Sequence, residues 1–518
     1  MTITTAKRPA GALLLTPFAL AALLLSAECR ADWKFSPNAG VTETYTDNVG
    51  LLRDDLAHGQ FVTDATAGFA LTGQGPRLRY AASGRVHQFA YSDGSQPNLN
   101  DREHDYSATA LAKLADDLFL DMAASGGPQS ISAFGPQVTD NLYSSGNRTT
   151  INTWRISPYV QHHYGSVADM LLRYSRDSVD AGKGNPFGSS TASTGTFALN
   201  SGTSFQALGW GLSYNHQEMQ NRLSGASTAN NALGNLRLRL TPRLYGTASV
   251  GYDDYDYKSL GGRTAGRSWS GGFIWTPSGR TKLEATYGRR YFGKTGSLAA
   301  SHHSRNSVWS INYGDAVTTS RQQFLLPSTI DTAALLDTLF KPSFPDPVLR
   351  QQAVQAYLRA TGLPPSLANN INYLSNRYLR EKQLQAAVAF TWAHSSLVTS
   401  VYKSERTALS LQQSDSALLG NQLASLNDNV RQRGVNSTFL YHLSPRSEVS
   451  AAGYFYRVTS LDTGLGDNHR QFRIGLARRF DRHMNFAVDL RHNSGGIGAG
   501  TGQTFRENAV SASISALF

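Results

Sequence analysis

Hydrophobic and polar residues alternate with a period of two along much of this chain. From Arg77 to Tyr91, Leu78, Tyr80, Ala82, Val86 and Ala90 fall on one face of an extended strand, and Arg77, Arg79, Ser83, Arg85 and His87 on the other. The run Leu236 to Leu240 interleaves leucine with Arg237 and Arg239. Phe472, Ile474 and Leu476 oppose Arg473 and Arg479, and Phe486, Val488 and Leu490 oppose Asp489 and Arg491. In the final stretch Val510, Ala512, Ile514, Ala516 and Phe518 share a face opposite Ser511, Ser513 and Ser515. Strands of about ten residues with one apolar and one polar face suit a barrel wall between lipid and a polar lumen, although a soluble sandwich alternates in the same way.

The two ends of the chain decide between these. Lys7 and Arg8 form a basic start, Ala12 to Leu25 an apolar stretch of signal-peptide length, and Cys29-Arg30-Ala31 a cleavage site, so residues 1–31 are expected to be removed on export. Phe518 closes the last alternating strand and resembles the terminal signal read by the outer-membrane barrel assembly machinery. After the apolar stretch no run of about 18 apolar residues follows to form a membrane helix. The expected fold is all-β: a transmembrane outer-membrane antiparallel β-barrel of a Gram-negative cell.

Turn residues punctuate the strands in two styles. Short breaks are read at Ser157-Pro158, Thr241-Pro242-Arg243, Thr276-Pro277-Ser278-Gly279, Gly314-Asp315 and Ser444-Pro445-Arg446, and long polar ones at 46–60, 131–148, 179–191 and 410–428. The short ones suit periplasmic turns and the long ones extracellular loops. About 435 residues at roughly 20 per strand and half its loops predict about 22 strands, within roughly 18 to 24. Tyr45, Trp154, Tyr159, Trp210, Tyr214, Tyr252, Trp275, Tyr291, Trp309, Trp392 and Tyr441 are expected as girdles at the two lipid-water interfaces.

One segment breaks the pattern. Between residues 327 and 380 the period becomes helical: Ser328 caps a first helix to Phe340, Asp346-Pro347 opens a second, and Leu367, Ile371, Leu374 and Tyr378 stripe a third. The expected organisation is thus barrel at 32–326, a helical insertion at 327–380 acting as plug or cap, and barrel again at 381–518. Counting strands puts the insertion on the extracellular side, after a strand near Ala316 to Leu326.

Composition narrows the chemistry. Charged residues make up only 16% of the chain, with 47 glycines and 10% aromatics, as many short strands and turns require. The formal charge of +11 becomes 11 − 3 + 1 = +9 without Lys7, Arg8, Arg30 and Glu28. A basic protein outside the cytoplasm meets lipid and lipopolysaccharide phosphates or acidic polysaccharide, and without a basic run no nucleic-acid partner is expected. Arg77, Arg79, Arg85, Arg237, Arg239, Arg290, Arg473, Arg479 and Arg491 all count to the polar face, predicting a basic lumen. No enzyme, cofactor or metal site is expected. The nearest to catalysis is His492-Asn493-Ser494, whose order on one strand is similar to the active-site strand of outer-membrane phospholipase A, with no orienting Asn identified. Asp253, Asp254 and Asp256 lack the spacing of a cation site and read as a solvated strand end.

The opening Trp33-Lys-Phe-Ser-Pro and the stretch Val41 to Leu51, with its Glu-x-Tyr-Thr-Asp-Asn core, resemble the family of PEP-CTERM/exosortase system-associated outer-membrane β-barrel proteins. Leu199 to Trp210, the insertion with Gly362-Leu-Pro-Pro, and the Phe518 terminus extend the resemblance over the mature chain. What it implies is a setting: a passage or surface attachment factor for exopolysaccharide or its export components, or a closed barrel serving as scaffold. It carries no catalytic residues.

Overall fold

The computed structural model describes residues 32–93, 99–136, 143–144, 147–181, 189–221, 225–257, 263–325, 377–410, 429–481, 483–498 and 502–518. The expected signal peptide and residues 327–376 of the expected insertion lie outside them. The strands form one 22-stranded antiparallel sheet, in line with the count from sequence. Its first strand, β1 (Asp32–Thr46), pairs with its last, β22 (Thr504–Leu517), from Asn38↔Leu517 to Thr46↔Ala509. The sheet therefore closes into a barrel with no free edge, so that each strand is paired on both sides within the wall, as a spanning structure in lipid requires.

The period of two sorts the side chains as expected. Leu240, Val250, Ile474, Leu490 and Ile514 point outward and are more than half exposed, an apolar belt that only lipid can cover. Tyr45, Trp154, Trp309 and Trp392 ring this belt. Two aromatics of the expected girdles do not belong to it. Tyr159 faces the lumen beneath Arg173, whose guanidinium carbon is 4.2 Å from its ring centre. Tyr291 sits in a turn and stacks on Tyr255, 5.3 Å away, on the inner side.

Connections at one end are short, as at 75–77, 242–243 and 445–446, and those at the other are long, as at 47–59, 131–147 and 409–429. The long end is extracellular. The break between β15 (Ser307–Thr319) and β16 (Tyr378–Thr391), within which the expected insertion lies, falls at that end too. Three features around this break differ from the expectation. Gly314-Asp315 is no turn but runs through β15, paired with Gln383 and Lys382. The strand expected at Ala316 to Leu326 stops at Thr319, and a short helix, α1 (Ser320–Leu325), follows. Tyr378, counted in a helical stripe, opens β16 opposite Thr319.

Ser157-Pro158 is not a turn either. It lies inside β6 (Arg148–Tyr164), where the partners recorded to β7 (Ala168–Asp180) skip from Ile156 to Tyr159. The missing proline N–H thus falls in a gap in the ladder. Pro277 sits likewise in the register shift between Trp275 and Ser278, so that turn comes at Gly279.

Candidate functional site

The barrel's inside is the part of the fold with chemistry to offer. At its extracellular end the described residues of the loop that follows β5 (Leu118–Ser130), which are 131–136, 143–144 and 147, lie on the inner side. Ala133 and Phe134 pack on Val430, Val458 and Tyr456 of β18 (Val430–Ser444) and β19 (Ser447–Ser460), far around the ring from β5. Tyr143 packs on Val49, Val62 and Phe89 near the barrel seam. The loop holds this shape through Asn147, which accepts from the Ser132 backbone at 2.9 Å and donates to the Ser132 carbonyl at 3.1 Å. Gly135 adopts φ +98°, a left-handed conformation that favours glycine.

A buried polar knot ties the loop to the wall. Glu507, wholly inaccessible, accepts from Thr46 at 2.9 Å, from Arg491 at 2.8 Å, from Asn493 at 2.5 Å and from Tyr143 at 3.3 Å. Arg491 also donates to the Tyr143 hydroxyl at 2.8 Å. Burial pushes the Tyr143 hydroxyl well above the ordinary tyrosine range, so it remains a proton donor to the carboxylate. A second clamp comes from α1: Arg321 donates to Ser190 at 2.9 Å and pairs with the Asp177 carboxylate on the opposite wall. Phe324 and Leu325 pack with Ile151 and Val179 beside it.

The nine arginines expected in the lumen divide by height. Near the extracellular end Arg290 pairs with Asp253 at 2.6 Å and Arg491 with Glu507. At mid-height Arg473 pairs with Asp489 at 3.0 Å. Arg79 and Arg85 on β3 (Leu78–Tyr91), Arg237 and Arg239 on β10 (Gly225–Thr241), and Arg479 at the end of β20 (Gly466–Arg479) face inward, exposed. None of these five has a salt bridge among the described residues, and four of them cluster toward the periplasmic end. Arg77 differs from expectation in lying in the periplasmic turn at 75–77, not on a strand. The other eight lie on strands with their side chains on the inner face, and which of them are neutralised is not legible in the sequence because the acids come from other strands.

Two further motifs resolve. Asp253, Asp254 and Asp256 do not converge: Asp253 points inward to Arg290, while its two companions sit on the opposite parity. His492 and Ser494 do share the outward face of β21 (Met484–Gly496). Asn508 stands directly across the ladder from His492, with its Oδ1 2.8 Å from His492 Nδ1. An amide oxygen only accepts, so Nδ1 is the donor in this bond. No Ser494–His492 hydrogen bond is present among the described residues, so the nucleophile is not engaged.

A closed barrel with an apolar outer belt, a polar interior and long loops at one end defines the class: this is a large β-barrel protein of the outer membrane. No family model and no curated protein matches the chain. Among solved structures it is similar to the FrpB iron transporter from Neisseria meningitidis, at 11% identity and a TM-score of 0.49, covering 93% of this chain and 82% of that one. A mutant ferric enterobactin receptor from Pseudomonas aeruginosa gives 11% and 0.47, covering 93% and 80%. The siderophore receptor PirA from the same organism gives 10% and 0.39, covering 94% and 80%. Likeness at this level carries nothing about function.

Proposed function

We propose that this barrel is a gated passage for an anionic polymer, with a basic entrance on the periplasmic side and a closure at the extracellular side. The observation that carries this reading is the pair Arg237 and Arg239, exposed in the lumen with no acidic partner among the described residues. Unneutralised cations on a pore wall attract anions and repel cations. The resemblance to exosortase-associated barrels supports an acidic exopolysaccharide as the polymer. A closed scaffold is the competing reading, favoured by the buried ion pairs at Glu507 and Arg321. A hydrolase in the wall is the least supported, since Ser494 makes no hydrogen bond to His492 among the described residues.

The test is ion selectivity in planar bilayers, with the closure loosened by Phe134→Ala. Anions are expected to carry most of the current, and the double change Arg237→Ala/Arg239→Ala should cut the anion preference several-fold with folding unaffected. Cation selectivity in the loosened barrel would remove the basis for an anionic cargo.

A further inference from the structure

On the outer wall, away from the lumen, a row of cations crowns the lipid belt. The outward residues of β18, read from the periplasmic end, are Leu443, Tyr441, Phe439, Ser437 and Val435, and then the face turns to Arg433 and Arg431. The neighbouring strands change at the same level. On β17 (Ser395–Ala408) Val401 gives way to Lys403, on β19 Phe455 to Arg457, on β20 Phe472 to Arg470, and on β22 Val510 to Asn508 and Arg506. Val435 to Leu443 spans roughly 27 Å along the strand at ~3.4 Å per residue, or about 20 Å of height at the usual barrel tilt, so the belt is of membrane thickness. The cations lie at the headgroup level of the outer leaflet.

Their arrangement costs the isolated protein stability. Lys403 stands directly opposite Arg433, and Arg433 directly opposite Arg457, so three like charges meet side by side on one face. All three are exposed, as are Arg470 and Arg506. None of the five forms a salt bridge among the described residues. The acids nearest this face are engaged: Glu405 pairs with Arg431 at 3.0 Å, Glu43 accepts from Thr63 at 2.6 Å, and Asp47 accepts from Asn508 at 2.7 Å. Elsewhere around the ring, outward Arg176 and Arg267 stand opposite Ile156 and Tyr252, and one further like-charge pair, Arg289 opposite Lys294, has two members where this row has three in line.

We propose that the outer face of β17 to β22 binds the phosphates of a phosphorylated glycolipid of the outer leaflet, the lipid A end of lipopolysaccharide. Anionic phosphates at that height neutralise the row, guanidinium forks grip their oxygens in pairs, and the acyl chains lie on Val401, Val435, Phe455 and Phe472 below. This site is independent of whether the lumen conducts.

The test uses the full barrel refolded in detergent and incubated with purified lipopolysaccharide, with the same material stripped of its lipid A phosphates, or with phosphatidylglycerol micelles. Each cation near an anionic surface contributes roughly fivefold to affinity, so Lys403→Gln/Arg433→Gln/Arg457→Gln should weaken lipopolysaccharide binding about a hundredfold. Removing the phosphates should weaken binding to the unaltered barrel to a similar degree. Retained heat-modifiability of the triple variant shows that the barrel still folds, and Arg176→Gln serves as the control that leaves binding in place. Equal binding by variant and parent, or equal binding with and without phosphates, overturns the site. Preference for phosphatidylglycerol overturns the glycolipid assignment, and a change in oligomeric state without loss of lipid assigns the face to a second copy of the chain.

Discussion

Two stretches of the inner wall have the same alternating pattern and opposite fates. Along β16 to β18 the lumen-facing Gln385, Ala389, Val398, Ser400, Thr438 and Leu440 are all buried, from mid-height to near the periplasmic end. Along β10 the lumen-facing Asn235, Arg237, Arg239 and Thr241 are exposed. Period two says which side of the wall a residue occupies, and not whether that side is wet. Composition marks the difference after the fact, since the buried wall uses Ser, Thr, Gln and small apolar residues where the open one uses arginine.

The largest expected effect comes from breaking what fixes the closure to the wall. Glu507→Gln leaves Arg491, itself only 7% exposed, without its buried carboxylate, a change that typically costs about 3–5 kcal/mol. The midpoint of urea unfolding, followed by the gel shift between folded and unfolded forms, should fall accordingly. A loss below about 0.5 kcal/mol, the range of an ordinary surface change, would mean that the knot does not hold the loop.

A smaller effect separates gating from permanent closure. Phe134→Ala removes the side chain that joins the loop to Val430 and Val458 on the covered wall. Truncating a buried Phe costs about 3–5 kcal/mol, but here the cost falls on docking of the loop, so the readout is conductance with little shift in unfolding of the barrel. Conductance should rise above that of the parent protein. An unchanged, near-zero conductance would favour the scaffold reading, with the basic wall of β10 serving no flow.

Much of this architecture was legible in the chain, and what was not has identifiable causes. Strand identity, strand number and the in-out face of Arg79, Arg85, Arg237, Arg239 and Arg473 follow from local periodicity, which the barrel enforces because a slip by one residue turns every side chain to the wrong solvent. Pro158 and Pro277 misled because proline was read as a turn signal, whereas each falls where the ladder to one neighbour is interrupted. The contact of Tyr143 with Glu507 and Arg491 was missed because it joins residues hundreds of positions apart. No local pattern encodes such a pairing.

The smallest expected effect lies at the periplasmic end, on the side opposite the closure. Asp481, in the turn between β20 and β21, accepts from the backbone N–H of His483 and of Met484, each at 2.7 Å. These two donors, His483 first, hold its carboxyl below the usual aspartate range. The folded state therefore binds the proton more weakly than the unfolded chain. The turn's contribution is present above the unfolded aspartate value and is lost as pH falls through the folded one. Asp481→Asn keeps an acceptor but loses its charge, so it should lower the unfolding temperature slightly at about pH 7, and the difference from the parent should shrink toward zero at about pH 3 or below. The closure variants report on the extracellular knot, so their deficit should follow a different pH course. A deficit for Asp481→Asn that is the same at both pH values would show that the turn needs the carboxylate's shape and not its charge.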